Sequence, residues 1–566
     1  MPGRHATRGR RPRVWRTISL VLLVVSVPIL SFVGVRALTL STTGPENVAA
    51  STCEGNQRIR VAVAPEIGPP LEKIARKISE DRVAVDGKCL DLRIETIRPA
   101  EMYTALVEGR RPRGADLWIP DSLEWLRRAD VPDDRLLTLS PSVAASPLVL
   151  AAPESGAEQL RQAATDWERL ALAGRPAVSD PEESAVTLSV LLGVKRALSD
   201  GEAPDPEQEE QFRRQMGRDI FALLRHKVGD LDTELEAAAD GGLARPVPAT
   251  EQQVRRLLQE NPEADVSAVV PEEGTVLLDY PLVALVDTAR SETVVAAGNA
   301  LLRYAGNDAG RRALREAGFR LVPDLRPPPG PSVVGDVEVL PMTTLTDTVD
   351  VLRGWAAMEI GTRMLAIVDL SGSMAMPADE GRSRIELARD AAETALGYFP
   401  DYAEIGLWGF SVQRQGNQDH ETFVPIGELK PPHRKALIEG LHRMPSEVGG
   451  GTGLYDTILA GYRAAQADYD PRRISSVVLL TDGRNEDDPV GIDKERLLSE
   501  LERLKDPTRP VLLIFVGIGP EADVETLAQI AEVTGGIAYQ ALDPADMERI
   551  VIDALLRRQC TGDVCA

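Results

Sequence analysis

"RMLAIVDLSGSMAMP", Arg363 to Pro377, decides the reading of the second half of the chain. An apolar strand pattern runs through Val368, and then one carboxylate and two hydroxyls follow on alternate residues, Asp369, Ser371 and Ser373. Residues two apart in an extended or tightly looped chain project to the same side, so the acid and both hydroxyls converge where the strand ends. Gly372 frees the turn between the hydroxyls.

The segments after it alternate. "SRIELARDAAETALGYF" reads as a helix, "AEIGLWGFS" as a strand, and "PHRKALIEGLHRM" and "LYDTILAGYRAAQADY" as helices. "SSVVLLTDG", "VLLIFVGIG" and "GIAYQA" read as further strands, separated by the helices "DKERLLSELERL" and "DVETLAQIAEVTG". Strands each followed by a helix predict a doubly wound, Rossmann-like α/β sheet whose ligand site lies at the carboxyl ends of its strands. Two more polar groups sit at such ends: Thr452 in "GGGTGLYD", before a helix, and Asp482 in "LLTDG". Gly449 to Gly451 let the Thr452 loop pass close to an ion. Two carboxylates and three hydroxyls are hard oxygen donors, suited to Mg²⁺ or Mn²⁺.

DxSxS, a distal Thr and a distal Asp, in this order and on these elements, resemble the metal-ion-dependent adhesion site of von Willebrand factor type A domains. The resemblance implies that Ser371, Ser373 and Thr452 coordinate the ion, while Asp369 and Asp482 bind it directly or through water. It also implies a coordination position left for an acidic residue of a protein partner. Two aspartates facing one divalent ion predict a site close to electroneutral. "GRNEDD" follows Asp482, and there Asp487 or Asp488 offers a place for Ca²⁺, with plain solvated acids as the alternative. No second metal cluster, nucleophile elbow, P-loop lysine or general base accompanies the motif, and His442 in "LHRMPSE" reads as a helix end. Binding is expected, not catalysis.

The first half also alternates. "RIRVAVAP" reads as a strand, "PPLEKIARKISE" as a helix opened by proline, "CLDLRIETI" as a strand and "AEMYTALVEG" as a helix, which predicts α/β units on a mostly parallel sheet. With "ADLWIPDSLEWL" (Ala115 to Leu126), "SPLVLAAP" (Ser146 to Pro153), Trp167 and the terminal "NDAGRRALREAGFRLV", this half resembles the bilobed extracytoplasmic solute-binding proteins of bacterial uptake systems. That resemblance places a ligand between the lobes. Carried over by position, the cleft residues are Pro65, Trp118, Asp121, Ser122 and Tyr280, with core packing the alternative for the two aromatics. "PDLRPPPGPSVVGDVEVLP", Pro323 to Pro341, is too rich in proline for regular structure and reads as a semi-rigid connector.

The amino end adds a location. The first 16 residues are basic, and Thr17 to Val35 carry no charge over 19 residues, near the length that crosses a bilayer as a helix. Arg on the amino side predicts a single-pass signal anchor with everything beyond Arg36 outside a bacterial cell membrane, a cleaved signal peptide being the rival. Four cysteines in an exported chain predict two disulfides, Cys53 with Cys89 and Cys560 with Cys565 by proximity. The net charge of −23 argues against nucleic acid as a partner, with plain solubility an equal reading of the acidic surface.

The expected order is a cytoplasmic tail (1–16), anchor (17–35), tether (36–56), solute-binding-protein-like domain (57–324), proline-rich linker (325–345) and type A domain (346–566). The expected function is a membrane-anchored extracytoplasmic protein that grips the carboxylate of a protein ligand through Mg²⁺ or Mn²⁺. The alternatives are a receptor for a small solute, linked to transport or signalling, and a scaffold for cell-envelope assembly.

Overall fold

A computed structural model describes residues 53–557 except 130–134, 199–214, 221, 240–241, 287–289, 331–332, 342, 360, 380, 483–484, 486–487, 489, 521 and 544–545. The basic tail, the apolar segment 17–35, Asp487, Cys560 and Cys565 lie outside the described residues. Among the described residues no helix is long and apolar enough to cross a membrane.

The first half holds strands β1 (Asn56–Val63), β2 (Ala84–Val85), β3 (Lys88–Thr96), β4 (Leu117–Ile119), β5 (Leu136–Ser140), β6 (Ser146–Ala152), β7 (Val247–Thr250), β8 (Ser267–Val269), β9 (Leu277–Leu278) and β10 (Leu282–Leu285). One sheet runs β2-β3-β1-β4-β10-β5, with β3, β1 and β4 parallel. The other runs β7-β6-β8, with β9 also on β6. The chain passes from the first sheet to the second after β5 and returns between β9 and β10, which makes the half bilobed.

The second lobe overturns the expectation of a mostly parallel sheet, because β6 is antiparallel to β7, β8 and β9. β7, the helix Glu251–Glu260 and β8 form a crossover that straddles β6, and β6 runs against both strands. All seven residues of β6 are buried, so it reads as a continuous apolar run whichever way its neighbours point.

Cys53 and Cys89 form a disulfide with Cα atoms 5.0 Å apart, closing a separation of 36 residues at the edge of the first sheet. Loop-closure entropy for that length is worth about 4 kcal/mol. Reduction with dithiothreitol is therefore expected to lower the stability of this half by about 2–4 kcal/mol in denaturant melts, with Cys89→Ser giving the same loss.

The proline-rich connector is fastened to the first half. Arg320 makes a two-point ion pair with Glu251 at 2.7 and 3.0 Å, and both side chains are buried. The same guanidinium donates to the carbonyls of Leu325, Val334 and Gly335. Farther along, Thr275 exchanges backbone hydrogen bonds with Glu338 and Leu340, both at 2.9 Å. The helix Leu345–Glu359 then packs on the helix Ala185–Leu198, where Lys195 reaches Asp350 at 2.9 Å and Asp347 at 3.1 Å.

The second half contains β11 (Gly361–Asp369), the short β12 (Pro377–Asp379) and β13 (Arg382–Ser383), then β14 (Glu404–Gln415), β15 (Gln418–Glu428), β16 (Arg473–Thr481), β17 (Val511–Ile518) and β18 (Ile537–Ala541). Its sheet runs β15-β14-β11-β16-β17-β18. Five of these strands are parallel. β15 is an addition to the sequence reading, an antiparallel edge strand turned back on β14 through Gly416, whose φ is +67°. All eight residues of β17 are buried, as a parallel strand covered on both faces requires. From the central β11 the chain continues to β14 on one side, whereas β16 leads to β17 and β18 on the other. Loops leaving β11 and β16 therefore part, and a crevice opens between them.

Candidate metal site

Asp369 is the last residue of β11 and is wholly buried. Its Oδ1 accepts the Ser371 N–H at 2.8 Å, and its Oδ2 accepts the Thr481 hydroxyl at 2.6 Å. One oxygen thus holds the turn after β11 and the other ties β11 to the end of β16. The Ser371 and Ser373 hydroxyl oxygens converge to 3.0 Å, as alternation in the sequence predicts. The glycine loop is laced to this turn: Gly372 N–H donates to Gly450 O at 2.9 Å, and Gly449 N–H to Leu370 O at 2.8 Å. Gly450 has φ of +87°, a conformation that favours glycine. Thr452, carried by this loop, is buried at 3% exposure.

Asp482 follows β16 and is 3% exposed. Its Oδ2 accepts from Arg384 Nη1 at 2.8 Å, while its Oδ1 is buried with no hydrogen-bond partner among the described residues. An orphaned carboxylate oxygen in such a place costs on the order of 1–3 kcal/mol unless something satisfies it. A hard cation fits that requirement and the neighbouring hydroxyls. Burial pushes the Asp369 carboxyl up to about 6, and the charge of Asp482 adds to the push against the hydrogen bonds from Thr481 and Ser371. The structure thus brings the Asp369 turn together with the Thr452 loop and places Asp482 close enough to act on Asp369.

Arg384 was not singled out by the sequence, and it alters the expected electroneutral balance by adding a permanent positive charge. A second metal-competent cluster is a further correction. Asp419 on β15, Asp456 in the first turn of the helix Leu454–Ala467 and Asp488 after β16 bring carboxylate oxygens within 4.8 Å of one another. Backbone N–H groups of Gln413, Ile492 and Gly491 donate to Asp419, Asp456 and Asp488 at 2.7, 2.8 and 2.9 Å. Asp488 Oδ2 is buried without a hydrogen-bond partner among the described residues. Burial raises the Asp419 carboxyl above its ordinary range, helped by the charges of Asp488 and Asp456. This cluster could coordinate a divalent cation. Only Asp488 of the three was legible as a candidate, because Asp419 lies on the unforeseen strand and Asp456 reads as an ordinary first-turn acid. His442 pairs with Glu393 at 2.7 Å on an exposed surface, away from any such role.

In the first half the five cleft candidates separate. Trp118 is sealed within the sheet between Ala62 and Val283, and Pro65 is exposed at the turn after β1. Ser122 Oγ accepts the Glu124 N–H at 3.2 Å, a local turn contact. Asp121 and Tyr280 do meet, with Tyr280 N–H donating to Asp121 O at 3.5 Å. Tyr280 has φ of +36°, in the left-handed region, and its hydroxyl donates to Glu66 Oε1 at 3.0 Å. Asp121 Oδ1 accepts from Trp125 Nε1 at 2.6 Å. Glu66, in "PEIG" directly after the first strand, was missed.

Burial and then the charge of Asp121 push Glu66 up to about 7, and burial pushes Asp121 and Asp279 up to about 6. A carboxyl whose folded pKa is raised stabilises the fold fully below its unfolded value and loses that contribution as pH climbs to the folded value. For Glu66 the window runs from 4.5 to about 7. Melts of the first half are therefore expected to fall in temperature between pH 5 and pH 8, and Glu66→Gln is expected to flatten that fall.

Comparison with known proteins agrees with this division. Residues 59–320 match the family described as bacterial extracellular solute-binding protein, and residues 364–551 match the von Willebrand factor type A domain. Both are non-catalytic binding architectures. An uncharacterized Mycobacterium tuberculosis protein is 26% identical over 570 residues, covering 93% of this chain and 80% of its own length. Among solved structures, the sulfate-binding protein SubI of Mycobacterium tuberculosis is 17% identical with a TM-score of 0.35, covering 48% of this chain and 88% of that one. A von Willebrand factor type A protein from Catenulispora acidiphila is 22% identical with a TM-score of 0.27, covering 36% of this chain and 43% of that one.

Proposed function

We propose that this solute-binding-protein-like region, joined to a von Willebrand factor type A domain, is a membrane-anchored extracytoplasmic binding protein that grips a protein partner's carboxylate through Mg²⁺ or Mn²⁺. Ser371, Ser373 and Thr452 supply hydroxyl ligands, Asp482 offers its Oδ1, and Asp369 acts through the loop and through water. The observation that carries the reading is the buried Asp482 Oδ1, without a hydrogen-bond partner among the described residues, on a carboxylate whose charge acts on Asp369 beside the paired serine hydroxyls. The ion supplies a Lewis-acidic position that an anionic oxygen completes. The Asp419, Asp456 and Asp488 cluster, richer in carboxylates, suits Ca²⁺.

The anchor at 17–35 keeps the assembly at the bacterial membrane, with domains at 57–324 and 346–566 outside. A second reading, a receptor for a small solute held between the lobes, draws support from the left-handed Tyr280 fixed to Glu66 beside Asp121. Titration calorimetry of the full chain in detergent, stripped with EDTA and returned to Mg²⁺ or Mn²⁺, tests the first reading. Saturable uptake that is lost in Asp369→Ala supports it. No heat with either ion overturns it.

A further inference from the structure

We propose that the helix Leu345–Glu359 is a strap across the two lobes of the first half. It travels with the second lobe, holds the first lobe through a few polar contacts, and so governs how far the lobes part. The inference does not depend on what the type A domain binds.

The helix touches both lobes, in different ways. On the second lobe it packs on the helix Ala185–Leu198, which follows β6. There Asp347 and Asp350 receive Lys195, and Glu359 pairs with Lys227. The Lys227 ammonium also lies 6.0 Å from the centre of the Trp355 ring. Trp355 is 1% exposed, and a Cβ at Gly354 would stand 3.2 Å from Ile220 Cδ1 of that lobe, so the helix lies close against it.

On the first lobe the joint is polar. The Thr348 hydroxyl donates to Glu124 Oε2 at 2.9 Å, and Arg127 Nη2 donates to Thr343 O, just ahead of the helix, at 2.6 Å. Glu124 and Arg127 belong to the short helix Glu124–Arg128 after β4, and they pair with each other at 2.6 Å. Beside these contacts a crevice of about 570 Å³ opens among Tyr103 and Arg128 of the first lobe, Glu182 of the second, and Val349 and Leu352 of the helix. A joint of directed polar contacts next to open space parts at lower cost than a packed core. β11 begins at Gly361, directly after the helix, and the last helix, Asp546–Arg557, packs on it as well. The type A domain therefore follows the second lobe, and the first lobe is the body that moves. One restraint acts without the helix: Arg128 of the first lobe donates to the Pro181 and Glu182 carbonyls of the second at 3.3 and 3.0 Å.

The test uses the full chain in detergent, with nitroxides carried by p-acetylphenylalanine so that the native cysteines are untouched. Labels go at Glu101 on the first lobe, Gln159 on the second and Glu439 on the type A domain, all exposed. Pairwise distances are read by double electron–electron resonance in the labelled parent and in Glu124→Met with Arg127→Met and Thr348→Val, which removes the joint without stranding a charge. The expected result is that the distances from 101 to 159 and from 101 to 439 broaden and shift by more than about 2 Å, while that from 159 to 439 stays as in the parent. An unchanged distance from 101 to 159 would mean that Arg128 and the chain crossings hold the lobes unaided, which overturns the inference. A shift of all three distances would make the helix a general support of the fold and overturns it too. If the triple variant does not fold, Thr348→Val alone is read by the same criteria, with broadening from 101 to 159 expected and its absence contradictory.

Discussion

Asp369→Ala is expected to abolish the stabilisation that Mg²⁺ or Mn²⁺ would confer on the full chain under the proposed reading. An ion that binds only the folded state at 100 times its dissociation constant adds about 2.7 kcal/mol by mass action, so the wild-type melting temperature should rise with the ion and fall back in EDTA. The variant should give superimposable melts in both. Alanine takes away the acceptor for the Ser371 N–H and the Thr481 hydroxyl, so the turn that aims both serine hydroxyls loses its anchor. In the ion-free protein the buried Asp369 carboxyl is itself pushed up to about 6, which marks its charge as uncompensated. Removing it therefore costs less without the ion than with it. The difference between EDTA and ion, not the absolute melting temperature, is the quantity to read. A metal-linked rise that survives in Asp369→Ala would place the stabilising ion elsewhere, with Asp419, Asp456 and Asp488 the first place to look.

The largest effect on stability is expected from Arg320→Met. Arg320 and Glu251 are 1% and 0% exposed at the side chain, and they meet in a two-point ion pair. Removing one partner of such a pair strands the other in the interior, at a cost of about 3–5 kcal/mol. Here the loss extends to three carbonyls, of Leu325, Val334 and Gly335, which receive the same guanidinium and hold the connector against the domain. Urea melts of the full chain should show an early transition in the first half, together with faster proteolysis between 325 and 341. The double variant Arg320→Met with Glu251→Met should recover part of the stability, because no charge is then left unpaired. A loss below about 1 kcal/mol in Arg320→Met would mean that the connector is held by its other contacts, such as the backbone bridge of Thr275 with Glu338 and Leu340.

What the sequence made legible was local. Asp369, Ser371 and Ser373 stand within one turn at the end of an apolar strand, and their alternation in the sequence goes with hydroxyls 3.0 Å apart. Asp482 was expected from the rule that parallel sheets present ligands at strand ends, whereas Thr452 was expected from its glycine loop before a helix and lies between two helical elements, Met444–Glu447 and Leu454–Ala467. Contacts distant in the chain were not legible. Arg384 sits in "SRIELARD", where an arginine reads as an ordinary helix residue, yet its partner Asp482 is 98 positions away. β15 escaped because an edge strand with one buried residue in eleven carries little apolar signal, and Asp419 went unseen with it. Strand direction in the second lobe was equally hidden, since a fully buried strand such as β6 has no polar face to orient it. Glu66 lacked any motif; only the return of Tyr280 beside β1 gives it a role.

The most direct measurement is anomalous X-ray diffraction from crystals of the protein grown with MnCl₂. The expected result is a manganese peak within ligand distance of Ser371 Oγ, Ser373 Oγ, the Thr452 hydroxyl and Asp482 Oδ1, with Arg384 still on Asp482 Oδ2. A map with no peak in that crevice, or with manganese only among Asp419, Asp456 and Asp488, would contradict it.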